Sequence, residues 1–327
     1  MTVRPDTVRF GVLGCGYWGP NHIRNLTALR ARGAVMAAAA DPDEARRRHI
    51  ADLYPGVRLV PGADELIEAT DIDALVIATP VGLHFDQARR ALENGKHVLV
   101  EKPFTMNAAE AEELVATARD AGLFLMEAMW ARFVPQMVEV RRLLAEGALG
   151  EVVTVIADHG QWFAEDREFR LFAPELGGGA LLDLGIYPVS FASMVLGTPD
   201  RVVALADPAF TGVDAQTSIL LGHPGGAHAV LTCTLAAKGP TQAAIIGTEA
   251  RIEIEGPFYA PSAFTLTPRE GEPQRSEPPH KGRGMLYEAD EVARCIGEGL
   301  LESPAMPLDE TVAIMRTMDA VSRSASA

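Results

Sequence analysis

The chain has 327 residues, of which 48% are hydrophobic and 22% charged, so it can bury a core and lacks a disordered composition. Its 29 basic and 44 acidic residues leave a net charge of −15, which excludes nucleic acid and anionic membrane surfaces as expected partners because both would repel it. No run approaches the roughly 20 consecutive apolar residues of a membrane span. Three cysteines in no paired motif make a disulfide framework and a structural zinc site unexpected.

The chain is too long for one ordinary core and predicts two domains. The N-terminal residues lack the apolar core of a signal peptide and run straight into a strand pattern, so we expect a cytoplasmic protein. The first third alternates short apolar runs with helical patterns, which predicts a parallel, doubly wound α/β sheet. The predicted strands are residues 8–13, 35–40, 57–60, 74–78, 97–100 and 124–126, and the predicted helices are 17–31, 42–53, 63–69, 82–94 and 107–121.

The pattern changes after residue 127. Six strands with polar–apolar alternation follow, which predicts an open, mostly antiparallel sheet in an α+β domain. These strands are residues 151–159, 201–206, 216–221, 228–235, 242–246 and 251–255. Helices are expected at 135–146, 179–196, 285–298 and 308–322, and a surface loop at 269–284. We therefore predict a first domain over residues 1–127 and a second over 128–327.

A glycine-rich turn joins the first predicted strand to the first helix. Gly14, Gly16 and Gly19, with Tyr17 and Trp18 between them, form a G-x-G-x-x-G motif in the strand–turn–helix context of a dinucleotide-binding Rossmann domain. The glycines permit a tight turn, close approach of a pyrophosphate and close helix–strand packing. The alternative is a glycine-rich turn that binds no ligand.

Asp41 ends the second strand about 20 residues after the motif, where an acid hydrogen-bonds the adenosine ribose of NAD and repels the 2′-phosphate of NADP. Alternatively, Asp41 caps the helix that follows. Arg46–Arg48 keep NADP open, although three arginines are more often a solvated helix face.

Other strand ends also face the ligand side of a parallel sheet. Thr79, Pro80 and His84 follow the fourth strand and are expected at the cofactor, although His84 is more simply a structural residue at a helix start. Glu101 and Lys102 end the fifth strand. An ammonium there can hydrogen-bond a substrate hydroxyl and assist its deprotonation, whereas the alternative is a surface lysine in a loop.

Three further segments supply candidate residues. Trp130 and Arg132 begin the second half and are expected beside the cofactor, and residues 158–163 end the first strand of the second domain. For both groups, lining of a substrate pocket and simple packing are equally open. Asp183 and Tyr187 follow a run of glycines, and a spacing of four places them on one helix face. A carboxylate and a phenol beside Lys102 form a plausible proton-transfer group, because a nearby ammonium favours the ionised phenol. The alternative is a buried Tyr187 whose hydroxyl is merely satisfied.

The chain resembles the glucose–fructose oxidoreductase / inositol dehydrogenase (Gfo/Idh/MocA) family over essentially its whole length. The resemblance lies in GCGYWG, in Glu101-Lys102-Pro103 and in the GGGALLDLGIY run that contains Asp183 and Tyr187. Within the family the chain is most similar to the dimeric dihydrodiol dehydrogenase / xylose dehydrogenase branch, through EAMWARFVP, YEADEVARCI and SPAMPLDETVAIMRTMD.

The resemblance implies an NAD(P)-dependent oxidoreductase that acts on a sugar, cyclic diol or related alcohol, with Lys102 and Tyr187 serving proton transfer and Asp183 positioning the substrate. Inositol dehydrogenase-like members carry histidine at the place of Tyr187, which disfavours a polyol such as inositol. The branch often uses NADP, whereas Asp41 favours NAD, and we expect NAD slightly over NADP and no metal.

The sequence also bears on assembly and on two alternative functions. The open sheet of the second domain predicts a homodimer or homotetramer, because a second copy could cover its broad face. The alternatives to a dehydrogenase are a cofactor-retaining enzyme that oxidises and re-reduces one substrate, and a non-catalytic NAD(P)-binding regulatory protein. The presence of both Lys102 and Tyr187 disfavours a regulatory protein, because such a protein needs neither residue.

Overall fold

The computed structural model describes residues 7–326. The expectation that the N-terminal residues lack a signal peptide falls partly on residues 1–6, which lie outside the described residues. The chain divides into two compact units. The first unit consists of the described residues up to Met129 together with Met285–Thr311. The second unit consists of Trp130–Gly284 together with the described residues from Val312 onward. The division into domains at residue 127, and the roles given to each domain, stay predictions.

The first unit is built on a six-stranded parallel sheet in the order β3-β2-β1-β4-β5-β6. This finding confirms the predicted doubly wound α/β architecture. The strands are β1 (Val8–Leu13), β2 (Ala34–Ala40), β3 (Arg58–Val60), β4 (Ala74–Ile77), β5 (His97–Glu101) and β6 (Leu125–Ala128). The helices are α1 (Gly19–Ala28), α2 (Glu44–Leu53), α3 (Ala63–Ile67), α4 (His84–Glu93) and α5 (Ala108–Ala121).

The strand order explains where a ligand would bind in this unit. The chain moves outward from β1 to β3, then returns to the other side of β1 with β4, so the order reverses between β1 and β4. In open parallel sheets, ligands bind beyond the carboxyl ends of the strands at such a reversal. β4 is buried along its whole length, as expected for a strand covered on both faces.

Local sequence signals set the ends of α5. The Asn107 side chain accepts a hydrogen bond from the Glu110 amide, and Gly122 adopts a left-handed conformation with φ 65° at the other end. Both are preferred caps, because they satisfy or release backbone groups that the helix leaves unpaired. Asn107 and Gly122 therefore set the two ends of the helix that the sequence predicts over residues 107–121.

The second unit carries an eight-stranded mixed sheet in the order β14-β13-β12-β11-β7-β10-β9-β8. Only the β7–β10 pair is parallel among its described neighbours, which confirms the mostly antiparallel prediction. The strands are β7 (Val152–Gly160), β8 (Arg201–Pro208), β9 (Asp214–Gly222), β10 (His228–Thr234), β11 (Ala243–Gly247), β12 (Ala250–Ile254), β13 (Phe264–Pro268) and β14 (Gln274–Ser276).

Helices cover one face of this sheet. Along β10, Ala229, Leu231 and Cys233 are buried while the residues between them are exposed. α7 packs against β7 and β10 on the buried side. The remaining helices of the chain are α6 (Pro135–Ala145), α7 (Ile186–Leu196), α8 (Met285–Glu298) and α9 (Leu308–Ala325).

One segment, Pro174–Leu196, is long and apolar enough to cross a membrane by length and composition. The sequence alone did not single it out, because glycines and Asp183 interrupt its apolar run. In the structure 72% of its most apolar 18 residues are buried inside the protein. A core helix such as α7 meets the same criteria, and its burial accounts for its composition.

Candidate active site

The glycine-rich turn has the geometry of a ligand cradle. Gly14 adopts φ 93°, and a Cβ there would meet the backbone of Ala78, while a Cβ on Gly19 would collide with the carbonyl of Gly14. At Gly16 a Cβ would meet only the Arg46 guanidinium, at 3.6 Å. Two glycines therefore permit the turn itself, and the third leaves backbone that a ligand can approach.

The start of α1 is suited to an anion. Trp18 occupies the N-cap position and makes no side-chain capping bond within the described part of the chain. The first amides of a helix carry partial positive charge and bind phosphates when no side chain satisfies them. Tyr17 is 70% exposed and packs edge-on against Trp18, with ring centroids 4.7 Å apart. The residues present thus fit the pyrophosphate of a dinucleotide.

Asp41 is buried at the end of β2 and connects two backbone segments. Its carboxylate accepts hydrogen bonds from the Cys15 amide at 2.7 Å and the Asp43 amide at 2.9 Å. The cap of α2 is Asp43, whose side chain accepts from the amides of Ala45 and Arg46. The alternative in which Asp41 caps that helix is therefore wrong, because α2 begins two residues later than the sequence pattern suggested.

The three arginines after Asp41 have separate partners. Arg46 lies 3.6 Å from the carboxylates of both Asp41 and Asp43. Arg47 donates to the carbonyl oxygens of Asp41 and Pro42. Arg48 pairs with Glu44 on the solvated face of α2. Arg46 is thus the arginine that stands beside both Asp41 and the glycine-rich turn, and ribose binding by Asp41 stays a prediction.

The loops after β4 and β5 are tied together by His84. One ring nitrogen lies 3.0 Å from the carbonyl oxygen of Pro103, and the other lies 2.9 Å from that of Thr79. Burial lowers the pKa of His84, which keeps the ring neutral, so it donates to one carbonyl at a time. Thr79 donates its hydroxyl to Gln87. The structural reading of His84 has a physical basis here, and the cofactor contacts predicted for Thr79, Pro80 and His84 stay predictions.

Lys102 is buried at the end of β5, with 6% of its surface exposed. Glu101 beside it accepts the Lys102 amide at 3.1 Å on one carboxylate oxygen, and its other oxygen lies 2.7 Å from the His22 ring. The alternative of a solvated loop lysine is wrong. Burial of an ammonium group costs free energy, so buried lysines occur mainly where the charge is paired or serves a functional site.

In the second unit, close packing shapes the start of the helix that carries Asp183 and Tyr187. Gly179 adopts φ 119°, and a Cβ there would collide with the Asp214 carboxylate. Asp214 accepts hydrogen bonds from the Leu181 amide at 2.7 Å and the Thr217 hydroxyl at 3.0 Å. Burial raises the pKa of the Asp214 carboxyl. The first turn, Leu181–Gly185, is π-helical, a form that is frequent at functional sites.

Asp183 is held by a residue that the sequence did not single out. The Arg170 guanidinium contacts both carboxylate oxygens of Asp183, at 3.0 and 3.3 Å. Such a bidentate pair fixes the plane of the carboxylate. Asp183 therefore has a defined orientation one turn before Tyr187.

Aromatic rings surround Tyr187. The Trp130 indole N–H donates to the Tyr187 hydroxyl oxygen at 3.0 Å. The Tyr259 and His159 rings lie 4.7 and 5.2 Å from the Tyr187 ring. We call Trp130, His159, Tyr187 and Tyr259 the ring cluster. Tyr187 is buried and its hydroxyl accepts a hydrogen bond, as the structural alternative expects, and its role in proton transfer stays a prediction.

His159 in the ring cluster has a defined tautomer. Its Nδ1 lies 3.2 Å from the Leu184 carbonyl oxygen, which can only accept, so Nδ1 carries the proton. Its Nε2 accepts from the Gln161 amide group at 2.8 Å, and the same amide group donates to the Tyr259 hydroxyl at 3.3 Å. His159 belongs to the segment 158–163, for which the sequence left pocket lining and packing equally open. Tyr259 had no signal in the sequence.

Arg132 anchors the turn that carries Trp130. Its guanidinium donates to the Ser190 hydroxyl at 3.1 Å and to the Ser190 carbonyl at 2.8 Å. Ser190 lies on α7, three residues after Tyr187. Trp130 and Arg132 thus have contacts inside the second unit, and their predicted approach to the cofactor stays a prediction.

Comparison with known proteins identifies similar chains. A family model described as an oxidoreductase family with an NAD-binding Rossmann fold matches residues 8–129, and the GFO/IDH/MocA C-terminal domain matches residues 137–253. Trans-1,2-dihydrobenzene-1,2-diol dehydrogenase of Xenopus tropicalis is 36% identical, with 95% of this chain and 96% of that protein covered. D-xylose 1-dehydrogenase (NADP(+)) of Hypocrea jecorina is 32% identical, with 96% and 91% covered.

A solved structure extends the similarity to three dimensions. A 3-ketoreductase from Actinomadura kijaniata, in complex with NADP and TDP-benzene, has a TM-score of 0.85 and 27% identity, with 97% of this chain and 98% of that chain covered. The chain therefore belongs to the GFO/IDH/MocA oxidoreductase family, and it is an NAD(P)-dependent oxidoreductase.

Proposed function

We propose that this enzyme transfers a hydride between a nicotinamide cofactor and a hydroxyl- or carbonyl-bearing carbon of a sugar, a cyclic diol or a related small alcohol. The observation that carries the proposal is the buried phenol of Tyr187, which accepts the Trp130 N–H and lies one helical turn after the oriented carboxylate of Asp183. The names of the relatives, a diol dehydrogenase and a sugar dehydrogenase, support this substrate class.

The ring cluster supports a small cyclic substrate. Ligand pockets combine apolar ring faces with a few placed polar groups. Tyr187, Tyr259 and the neutral ring of His159 offer ring surface with hydroxyl and nitrogen groups at the edges, and Asp183 and Arg170 add one oriented charged pair. A cyclic diol or a pyranose has a compact carbon frame and several hydroxyl groups, so it matches this mixture.

The proton in this proposal belongs to Tyr187. In the oxidative direction the ionised phenol accepts the proton of the substrate hydroxyl, and in the reductive direction the neutral phenol returns it. The family resemblance pairs Lys102 with Tyr187 in proton transfer, and in this proposal its ammonium would favour the ionised phenol and hold the substrate oxygen, while Asp183 would position the substrate through a second hydroxyl. When bound, the cofactor supplies the acceptor or donor of the hydride. No metal is required, because Lys102 supplies positive charge.

The residues that would hold the pyrophosphate and the adenosine ribose of the cofactor lie in the first unit. Gly14, Gly16 and Gly19 with the start of α1 fit the pyrophosphate, and Asp41 is suited to the adenosine ribose. We propose a preference for NAD over NADP. The buried Asp41 carboxylate would repel a 2′-phosphate, and the Arg46 guanidinium that could attract one already faces two carboxylates. Some relatives use or bind NADP. If this enzyme preferred NADP instead, Arg46 would be the residue that binds the 2′-phosphate.

Turnover with a substrate panel tests the proposed function. Purified protein would be mixed with NAD or NADP and with a panel of aldoses and cyclic diols, and the absorbance of reduced nicotinamide would be followed. We expect stoichiometric formation of free reduced cofactor with at least one member. A cofactor-retaining enzyme would consume substrate without releasing reduced cofactor, and a regulatory protein would bind cofactor with no turnover of any substrate.

The outer face of the second sheet supports assembly with a second copy. Four apolar residues that are 43–59% exposed pair directly across neighbouring strands of this face. They are Val203 on β8, Leu220 on β9, Val230 on β10 and Ile156 on β7. We call these four residues the apolar row. A continuous apolar row across four strands is unusual on a surface that meets only water, whereas an interface between copies would bury it. We propose a homodimer or homotetramer formed through this face.

We also propose that the enzyme works in the cytoplasm. Cys15, Cys233 and Cys295 are all buried free thiols, which is typical of proteins from reducing compartments. Burial raises the pKa of the Cys15 thiol to about 12, so it stays in the unreactive protonated form beside the cofactor turn. Fractionation of the native host, followed by detection of the protein, would test the location.

A further inference from the structure

The hydroxyl oxygen of Tyr187 receives a hydrogen bond from a group that can only donate. The indole Nε1–H of Trp130 lies 3.0 Å from it, and an indole nitrogen has no lone pair to offer in return. Trp130 is 2% exposed and Tyr187 is 4% exposed, so water does not compete for this contact. The hydrogen of the Tyr187 hydroxyl must therefore point toward some acceptor other than Trp130.

From this contact we infer that Trp130 is a positioning residue for proton transfer, and this inference rests on the proposed role of Tyr187. The indole N–H occupies one lone pair of the phenol oxygen and directs its O–H to the other side. When the proton has left, the same N–H donates to a phenolate, and a hydrogen bond to a charged oxygen is stronger than one to a neutral hydroxyl. Trp130 thus favours the ionised form that accepts the substrate proton.

The fold holds the indole in place at several points. Arg132, two residues after Trp130, is bonded to Ser190 on the helix that carries Tyr187. Arg141 donates to the Arg132 carbonyl at 2.5 Å, which fixes the turn from the other side. The Tyr259 ring packs edge-on against the indole, with centroids 5.7 Å apart. The Trp130–Tyr187 distance is therefore set by the scaffold rather than by a mobile side chain.

The proton balance of the step leaves Trp130 unchanged. During oxidation the substrate O–H bond breaks and a Tyr187 O–H bond forms, while the electron pair of the neighbouring C–H bond leaves as hydride, as in the proposed function. The indole N–H stays bonded to the phenol oxygen throughout. Trp130 contributes through Tyr187 and not by exchanging a proton itself.

Trp130→Phe tests this inference, because it keeps an aromatic ring and removes the N–H. With a substrate found in the panel, we expect turnover to fall roughly 10-fold. The limb of the oxidative pH–rate profile on which activity rises with pH is expected to move up by about one pH unit, since a hydrogen bond to a charged oxygen is lost. The control is Trp162→Phe, which removes an indole that is 65% exposed, and it should leave that limb in place.

Tyr187→Phe separates failure of the inference from failure of the proposed function. If Tyr187→Phe is nearly inactive while Trp130→Phe has the turnover and pH profile of the wild type, the role of Trp130 is overturned and the proposed function stands. If Tyr187→Phe turns over normally, the proposed role of Tyr187 fails. In the Tyr187→Phe background, Trp130→Phe should have little further effect, and a full additional 10-fold loss would show a structural role instead.

A second measurement serves if Trp130→Phe does not fold. Wild-type protein can be produced with fluorotryptophan, whose indole N–H is a stronger hydrogen-bond donor. We expect the rising limb of the oxidative profile to move to lower pH, the opposite direction from Trp130→Phe. An unchanged limb would overturn the inference.

Discussion

The imidazole of His22 on α1 lies 2.7 Å from the carboxylate of Glu101, and both side chains are buried within the first unit. Glu288 on α8, a helix that packs against α1, is buried near this pair, and neither of its carboxylate oxygens has a hydrogen-bond partner among residues 7–326. Burial, reinforced by the charge of Glu101, raises the pKa of Glu288 well above its ordinary value. Glu288 therefore stays neutral well above the pH at which a solvated glutamate ionises.

Replacing Glu288 by glutamine should stabilise the protein at high pH. An unfolded glutamate titrates near pH 4.3, so the stability of a folded state with neutral Glu288 is fully present below that pH and is lost as pH rises toward the folded pKa. Each unit of difference between the folded and unfolded pKa of Glu288 corresponds to about 1.4 kcal/mol in the free energy of unfolding. We expect Glu288→Gln to melt several degrees above the wild type at pH 8, with little difference at pH 5. Thermal melts across this range measure the effect.

Glu291, one turn later on α8, provides a control of opposite sign. Burial opposes its ionisation, but hydrogen bonds from Arg294 and Ser303 prevail and lower the pKa of Glu291. Glu291→Gln should therefore destabilise the protein at pH 8, and this deficit should shrink as the pH falls. A stability advantage of Glu288→Gln over the wild type that does not grow between pH 5 and pH 8 would contradict the burial of a neutral carboxyl.

Asp41→Ser should weaken NAD binding relative to NADP. The substitution removes the acid proposed for the ribose and also the acceptor of the Cys15 amide. Loss of a charge-assisted hydrogen bond is worth about 1.5–3 kcal/mol, or roughly 10- to 100-fold in affinity. Titration of both cofactors into wild-type and variant protein measures it. A wild type that binds NADP far better than NAD would show that Asp41 does not select the cofactor.

Arg46→Met provides the complementary test of cofactor choice. Arg46 is the arginine beside Gly16, so its loss should lower any residual NADP affinity and leave NAD affinity nearly unchanged. Arg48→Met, which removes an arginine paired only with Glu44 on the solvated face, is the matched control and should change neither affinity. Equal losses of NAD and NADP affinity in Arg46→Met would instead show a structural role at the turn.

Val230→Asp should disrupt the proposed assembly. Val230 is 43% exposed and lies in the middle of the apolar row, between Leu220 and Ile156. A carboxylate there would be buried without a partner in an interface, whereas on a free surface it is solvated. We expect light scattering to report an oligomer for the wild type and a smaller particle for Val230→Asp. Val153→Asp, on the exposed part of β7 outside this row, is the control. A wild type that stays near 35.0 kDa at micromolar concentration would end the proposal.

Elements with strong local signals could be predicted from the sequence. Strand β1 lies at Val8–Leu13 as predicted, because a mostly apolar run followed by a glycine turn leaves few alternatives. The helix predicted over residues 42–53 begins instead at Glu44, since Asp43 and not Asp41 provides the cap. Helix starts depend on which of several neighbouring acids turns toward the backbone, and composition alone does not decide this.

Long-range contacts could not be predicted in the same way. Strand β13 and the short β14 fall in or near a stretch rich in proline, glycine and charge, and β14 forms through pairing with β13 rather than through its own propensity. In the site, Arg170 and Tyr259 come from distant segments without a motif, and His159 comes from a strand end for which pocket lining and packing were equally open. They meet Asp183 or Tyr187 because of the tertiary fold, whereas the i, i+4 spacing of Asp183 and Tyr187 was visible in the sequence.

The last prediction concerns Lys102 and Tyr187, which we expect to act as one proton-transfer unit. Tyr187→Phe keeps the ring and removes the proton carrier, so turnover should fall by roughly 10²–10⁴-fold while cofactor affinity stays nearly intact. Lys102→Met should cost a similar factor, because the phenol then lacks the positive charge that favours its ionised form. Residues that act together are strongly non-additive, so the double variant should be little worse than either single one. Single-turnover kinetics on the three variants, with cofactor affinity measured separately, gives these factors. Tyr54→Phe, which removes a phenol hydroxyl at the end of α2, is the control and should keep wild-type turnover. Losses that multiply in the double variant would show two independent roles, and near-normal turnover in both single variants would end the proposed mechanism.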